Sequence, residues 1–214
     1  AALSYDGRVV DFREKTEPNS HSKYLNVMIE ELLQGIRDRS EEKPEAIALS
    51  LGPGSYTGLR IGTSVAKGLA FAWDIPVVGM NSTEIMAHAF FMTNPDSSNW
   101  VCPMIDARRM EVYTAVFDTE LNALEPTSAK IIDETSFANL LATNQITFLG
   151  DGAAKCVETL QQSNASFSEA NFNSAKYMSL LANQAFQRSD FEDIAYFEPF
   201  YLKDFVVTQP KKKV

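Results

Sequence analysis

Twice in this chain a short, almost wholly apolar run stops on closely spaced glycines and hands over to helix-like spacing. The first is "AIALSLGPG" at 46–54, followed by "SYTGLRIGTSVAKGLAFAW"; the second is "ITFLGDG" at 146–152, followed by "AAKCVETL". A run this apolar cannot keep one face in water, so each reads as a strand covered on both faces. The glycines then read as a tight exit into a covering helix. Units of this kind build layered α/β sheets rather than sandwiches or helical bundles.

Around these units the order of elements repeats. Asp6-Gly7 between "AALSY" and "RVVDFREK" is a two-residue hairpin signal. A helix over 20–37, the strand 46–52, a helix over 57–73, the strand "PVVGMN" and a helix over 82–91 follow. After "TNPDSSN", which reads as a linker, come the strands "WVCPMIDA", "EVYTAVFD" and "SAKIID". A helix over 134–143, the strand "ITFLGDG" and a helix after Ala153 complete the order. The second half places three strands before its first helix and the first half only two. A first strand ahead of Ala1, about a dozen residues with its turn, is therefore expected to be missing. The expected organisation is two α/β domains, 1–95 and 96–214, whose glycine turns face each other across a cleft.

With 45% apolar residues over 214 positions the chain can bury a substantial core. Its formal charge of −9, from 19 basic and 28 acidic residues, opposes unaided binding to a phosphate backbone. Any nucleic acid is thus expected to be held through another protein. Cys102 and Cys156 have no metal-ligand spacing and read as core thiols of a reducing compartment. No uncharged apolar stretch nears the ~18 residues of a membrane span, and no leader is recognisable, so a cytoplasmic location is expected. Lys211 to Lys213 read as a solvated tail.

The glycine loop at 52–58 has the outline of a phosphate cradle and fails each template. A Walker loop needs Lys-Ser or Lys-Thr after its last glycine, but Leu59-Arg60 follow Gly58. In the dinucleotide fingerprint Thr57 stands where the third glycine belongs. Ser55 follows Gly54 directly, so no nucleophile elbow forms. What remains open is a bare turn, or an anion held by free amides at Gly52, Gly54, Ser55 and Gly58. His21 and His88 do not make a His-x-x-x-His pair. At the other strand ends, Asp106 suits either an ion pair with Arg108 or Arg109 or general-base work, and Asp151, between Gly150 and Gly152, reads as a helix cap.

Two small-residue rows mark the helix over 57–73: Gly58, Gly62, Ala66 and Ala70 in one, Ser64, Gly68 and Ala72 in the other. Small rows let another backbone approach, and the helix over 20–37 carries more apolar residues than one stripe needs. Either both helices lie central in the chain's own core or they form an interface with a second protein or a second copy. The interface candidates are Tyr24, Leu25, Met28 and Leu32 on the first helix, with Leu59, Gly62, Thr63, Ala66, Lys67 and Ala70 on the second.

The motifs "GPGSYTGLRIG", "AKGLA", "IDARRMEVY", "GDGA" and "EPFYLKDF" resemble the TsaB family, the YeaZ type, over nearly the whole chain. The resemblance implies an actin-like, Hsp70-like ATPase fold of two ribonuclease-H-like domains, with Ala1 in the second strand. It implies a non-catalytic subunit in the threonylcarbamoyl modification of the adenosine beside the tRNA anticodon. That subunit would pair through its N-terminal helices with a TsaD-type catalytic subunit, be joined by a TsaE-type ATPase, form a homodimer when alone, and meet tRNA only indirectly. No cofactor is expected on this chain alone, any ATP or ADP belonging to the assembled complex. The metal-binding His-x-x-x-His of the catalytic paralogue aligns with Ser82 and Met86, so both ligands are replaced. The competing reading is an active enzyme of the same fold, a small-molecule kinase or a metallopeptidase.

Overall fold

The computed structural model describes residues 1–17, 21–38, 43–170 and 172–203. The predicted tail at Lys211 to Lys213, the first residue of the predicted 20–37 helix and the last two residues of "EPFYLKDF" lie outside them. Strands β1 (Ala2–Tyr5) and β2 (Arg8–Phe12) form the expected antiparallel hairpin. Asp6 and Gly7 both take positive φ, 46° and 76°, the conformation that a two-residue turn joining twisted strands needs. Helix α1 (His21–Asp38) leads to β3 (Ile47–Gly52), α2 (Tyr56–Trp73), β4 (Val77–Asn81) and α3 (Ser82–Thr93). Strands β3 and β4 run parallel.

The second half carries β5 (Trp100–Asp106), β6 (Glu111–Phe117), β7 (Ala123–Ile131), the short α4 (Ala138–Leu141), β8 (Ile146–Leu149), β9 (Ala165–Ser168) and α5 (Ser179–Gln187). Its five strands form one mixed sheet in the order β7-β6-β5-β8-β9. The repeat inferred from the sequence is visible in this order: β2-β1 corresponds to β7-β6 and β3-β4 to β8-β9. Among the described residues the first four strands pair only as β1-β2 and β3-β4, and β5 has no counterpart between them.

Three stretches of the second half differ from expectation. The helix over 134–143 shrinks to four residues, because the Asp133 carboxylate accepts the Thr135 amide and the Thr135 and Ser136 hydroxyls. Phe137 then turns at φ 62°, so the first helical turn is lost to a side-chain turn. The helix after Ala153 is a single 3-10 turn over Ala154–Cys156. Strand β7 starts five residues ahead of "SAKIID" and tolerates Pro126 because it is a sheet edge with irregular register. Strand β9 and helix α5 were not anticipated.

The core of the second half centres on Phe148, fully buried between Phe137 at 5.4 Å and Phe167 at 5.3 Å. Burying a side chain of this size is worth ~1.5–3 kcal/mol. Cys102 and Cys156 lie in the same core, as expected. Burial pushes the Cys102 thiol up to about 12, against the hydrogen bond it shares with Thr114 at 3.0 Å. After β9 the chain returns to the first half. Helix α5 packs on β4, the Glu192 amide donates to the Val77 carbonyl at 2.8 Å, and Phe197 is buried with Ala70 and Val77. Among the described residues no helix is long and apolar enough to cross a membrane.

Candidate functional site

The two small-residue rows of α2 have different fates. Gly62, Ala66 and Ala70 face the chain's own sheet: Ala66 and Ala70 are 4% and 0% exposed, and a Cβ on Gly62 would meet Leu49 at 3.5 Å. Ser64, Gly68 and Ala72 are exposed, and nothing lies within 4 Å of a Cβ built on Gly68. Because Ser64 and Gly68 offer no bulk, a groove of about 450 Å³ runs between α1 and α2, walled by Ile29 and Leu33 on one side and Val65 and Leu69 on the other.

Of the interface candidates, Leu32, Thr63, Ala66 and Ala70 are buried within the chain. Tyr24, Leu25, Met28, Leu59, Gly62 and Lys67 are half-buried. Lys67 lies over the Phe197 ring at 4.3 Å, so its charge leans toward the returning segment. The sequence pattern could not show that Ser64 and Gly68, rather than Ala66 and Ala70, form the open row.

At the glycine loop, Ser55 caps α2 by accepting the Gly58 amide at 3.3 Å, which uses a donor that an anion would need. The entry to the loop is covered by the returning chain. The Phe200 amide donates to the Leu51 carbonyl at 2.7 Å, and the Phe200 carbonyl lies 3.1 Å from where a Cβ on Gly52 would stand. Gly52 has φ 114°, so glycine is required there for both conformation and space. Gly54 is half-buried beside Leu59.

The second glycine turn packs against β5. The Gly152 amide donates to the Met104 carbonyl at 2.9 Å. Asp151, expected to cap the following helix, does not. Its carboxylate accepts the Asp106 amide at 3.1 Å and ties the turn to the end of β5. Asp106 pairs with neither arginine side chain: it accepts the Arg108 backbone amide at 3.0 Å and pairs with Lys155. Arg108 and Arg109 both take positive φ, 71° and 51°, and are exposed at the tip of the β5-β6 hairpin. Lys155 also donates to the Glu111 carbonyl at 2.7 Å, and the Glu111 carboxylate pairs with Lys203. Lys155, Glu111 and Lys203 were not singled out in the sequence, since no spacing relates residues this far apart.

Partial burial raises the Asp106 carboxyl, but the Lys155 and Arg108 hydrogen bonds outweigh it and hold the group below the usual range. A depressed carboxyl stabilises the fold above its ordinary value of about 3.9, and the contribution is lost as pH falls through the folded value. Lys155→Met is expected to raise the Asp106 titration midpoint, read by carboxyl-carbon NMR. An unchanged midpoint would show that the pair does not set this ionisation.

On α3, Asn81 caps the helix by accepting the Thr83 amide at 2.9 Å. Ser82 and Ser50 share a hydroxyl hydrogen bond of 2.7 Å, and Met86, 1% exposed, would meet a Cβ on Gly150 with its methyl. Burial lowers the pKa of His88, opposed by its hydrogen bond to the Tyr177 carbonyl, and raises that of Glu84, opposed by Arg188. Among the described residues no three His, Cys, Asp or Glu side chains gather where they could hold a metal.

Residues 16–211 match the family model described as TsaD, tRNA N6-adenosine threonylcarbamoyltransferase. The chain is 28% identical over 212 residues to a Haemophilus influenzae protein named tRNA threonylcarbamoyladenosine biosynthesis protein TsaB, covering 95% of this chain and 88% of that one. It is 36% identical over 88 residues to the protein of that name from Bacillus subtilis, 41% of this chain and 37% of the relative. Among solved structures, a Pseudomonas aeruginosa protein described as similar to peptidase YEAZ superimposes with a TM-score of 0.79 at 24% identity, covering 94% and 93% of the two chains. Together with the family match, that overlap bears out the actin-like fold.

Proposed function

The chain belongs to the TsaD family and, within it, to the TsaB/YeaZ branch, and from this we propose that it is a non-catalytic subunit in tRNA threonylcarbamoyladenosine biosynthesis. It works by binding a TsaD-type catalytic subunit through α1 and α2. The observation that carries the reading is the open groove between these helices, lined by Ile29 and Leu33 with Asn26 and Glu30 on α1 and by Val65, Leu69 and the small Ser64 and Gly68 on α2. A helix from a partner can lie in such a groove because Ser64 and Gly68 present little bulk to it.

The residues of α3 support the non-catalytic part. Where the resemblance puts two metal-binding histidines stand Ser82, engaged with Ser50, and Met86, buried against Gly150. Neither supplies a nitrogen ligand. In this reading the chain alone holds no cofactor, and ATP or ADP binds only at the assembled complex. A TsaE-type ATPase joins the pair, a homodimer through the same helices competes with it, tRNA is met through the catalytic subunit, and the location is the cytoplasm.

The test is light scattering on a sizing column, with the full-length chain alone and mixed with the TsaD-type paralogue of the same organism. The expected result is a one-to-one complex formed at the expense of any homodimer. No complex, with or without ATP, shifts the weight to an active enzyme of this fold.

A further inference from the structure

We infer that residues 199–203 act as a latch between the two halves of the molecule, with Tyr201 and Lys203 as positioning residues for the glycine loop and the first turn of α2. The segment is attached at three points. Phe200 bonds the end of β3 through its amide, 2.7 Å from the Leu51 carbonyl. The Tyr201 ring lies on Tyr56, the first residue of α2, at 5.1 Å, and the Arg60 guanidinium covers Tyr56 at 5.0 Å. Two residues later Lys203 pairs with Glu111, the first residue of β6 in the other half.

The anchor in the second half is itself tied down. Lys155 holds the Glu111 carbonyl and the Asp106 carboxylate together, and Asp151 holds the Asp106 amide. The start of β6, the end of β5 and the second glycine turn therefore form one connected block. The latch joins that block to the first glycine loop, whose own conformation depends on it: Gly52 faces the Phe200 carbonyl, and Ser55 caps the Gly58 amide at the start of α2. Release of the latch leaves the loop without its cover and separates it mechanically from the second half.

Native-state hydrogen exchange on the full chain tests this, following the amides of Gly58, Leu59 and Phe200. Lys203→Glu, which sets like charges against Glu111, is expected to speed exchange at all three by roughly three- to tenfold. Tyr201→Ala should do the same, whereas Tyr201→Phe, which keeps the ring, should not. The paired exchange Lys203→Glu with Glu111→Lys should return the rates to those of the parent. The latch is overturned if the Gly58 and Leu59 amides keep their parent rates in both Lys203→Glu and Tyr201→Ala, or if the charge exchange fails to restore them. Should Lys203→Glu unfold the chain, Lys203→Ala is read instead, with the same three amides and about a threefold change expected.

Discussion

Replacing Gly150 by alanine is expected to remove about 2–5 kcal/mol of unfolding free energy, a large share of what an ordinary domain possesses. The residue has φ 98°, where a side chain costs ~1–2 kcal/mol by itself. The added Cβ would stand 2.5 Å from the Met104 carbonyl oxygen and 2.5 Å from the Met86 methyl. The methyl can rotate away, but the oxygen belongs to β5 at the middle of the five-stranded sheet, whose backbone cannot yield without disturbing strands on both sides. Forcing that contact adds ~1–3 kcal/mol. Urea unfolding followed by tryptophan fluorescence and far-UV circular dichroism measures the loss. A change no larger than that of an ordinary surface substitution, about 0.5 kcal/mol, would mean that the turn relaxes freely and that the interlock of Gly150, Met86 and Met104 does not hold the second half together.

The same interlock explains what could be read from the sequence and what could not. The run "ITFL" announces a covered strand and all four of its residues are buried, whereas in "AIALSLG" the strand is there but Ala48 is exposed and its neighbours are only half-buried. The glycines that follow announce a tight exit, and both exits are there. A glycine required by a neighbouring backbone is indistinguishable in sequence from one required by a phosphate, so at the first exit a bare turn and an anion site both stayed open. At Gly52 the neighbour is the Phe200 carbonyl, 148 positions away, and at Gly150 it is Met104. Asp106 took up its ion-pair option with a partner similarly far away in sequence. Its sequence neighbours Arg108 and Arg109 were the obvious partners, yet both turn outward at positive φ and the carboxylate is taken by Lys155.

Helix α5 is a different kind of omission, because its spacing of Leu180, Leu181, Ala185 and Phe186 was legible and its destination was not. It leaves the half of the molecule in which it begins and completes the core of the other, packing on β4 with Phe197 filling the space beside Ala70 and Val77. Strand β9, four residues reading "ASFS", was too short and too polar to separate from a loop. The small-residue rows of α2 were recognised and their two explanations left open. The core explanation holds for Gly62, Ala66 and Ala70, whereas the exposed row of Ser64, Gly68 and Ala72 is the one a proposed interface would use.

That division between rows defines the most discriminating substitution on the proposed partner face. Gly62→Leu and Ala66→Leu suggest themselves from the sequence, but both positions face β3 or the buried side of α2, so a loss of binding there would report damaged folding. Gly68→Leu is free of that ambiguity. The position is exposed and open beyond 4 Å, and exchanging a helical glycine for leucine should leave stability unchanged or raise it by up to ~1 kcal/mol. The new side chain would fill part of the groove between α1 and α2, and a partner seated there must be displaced or repack at a cost of ~1–3 kcal/mol, a loss of roughly five- to 150-fold in affinity. Titration calorimetry with the TsaD-type subunit reads the affinity, and urea unfolding of the same variant reads the stability. A variant that is fully stable and binds as tightly as its parent would remove α2 from the interface, and the groove would then have to be explained without a partner.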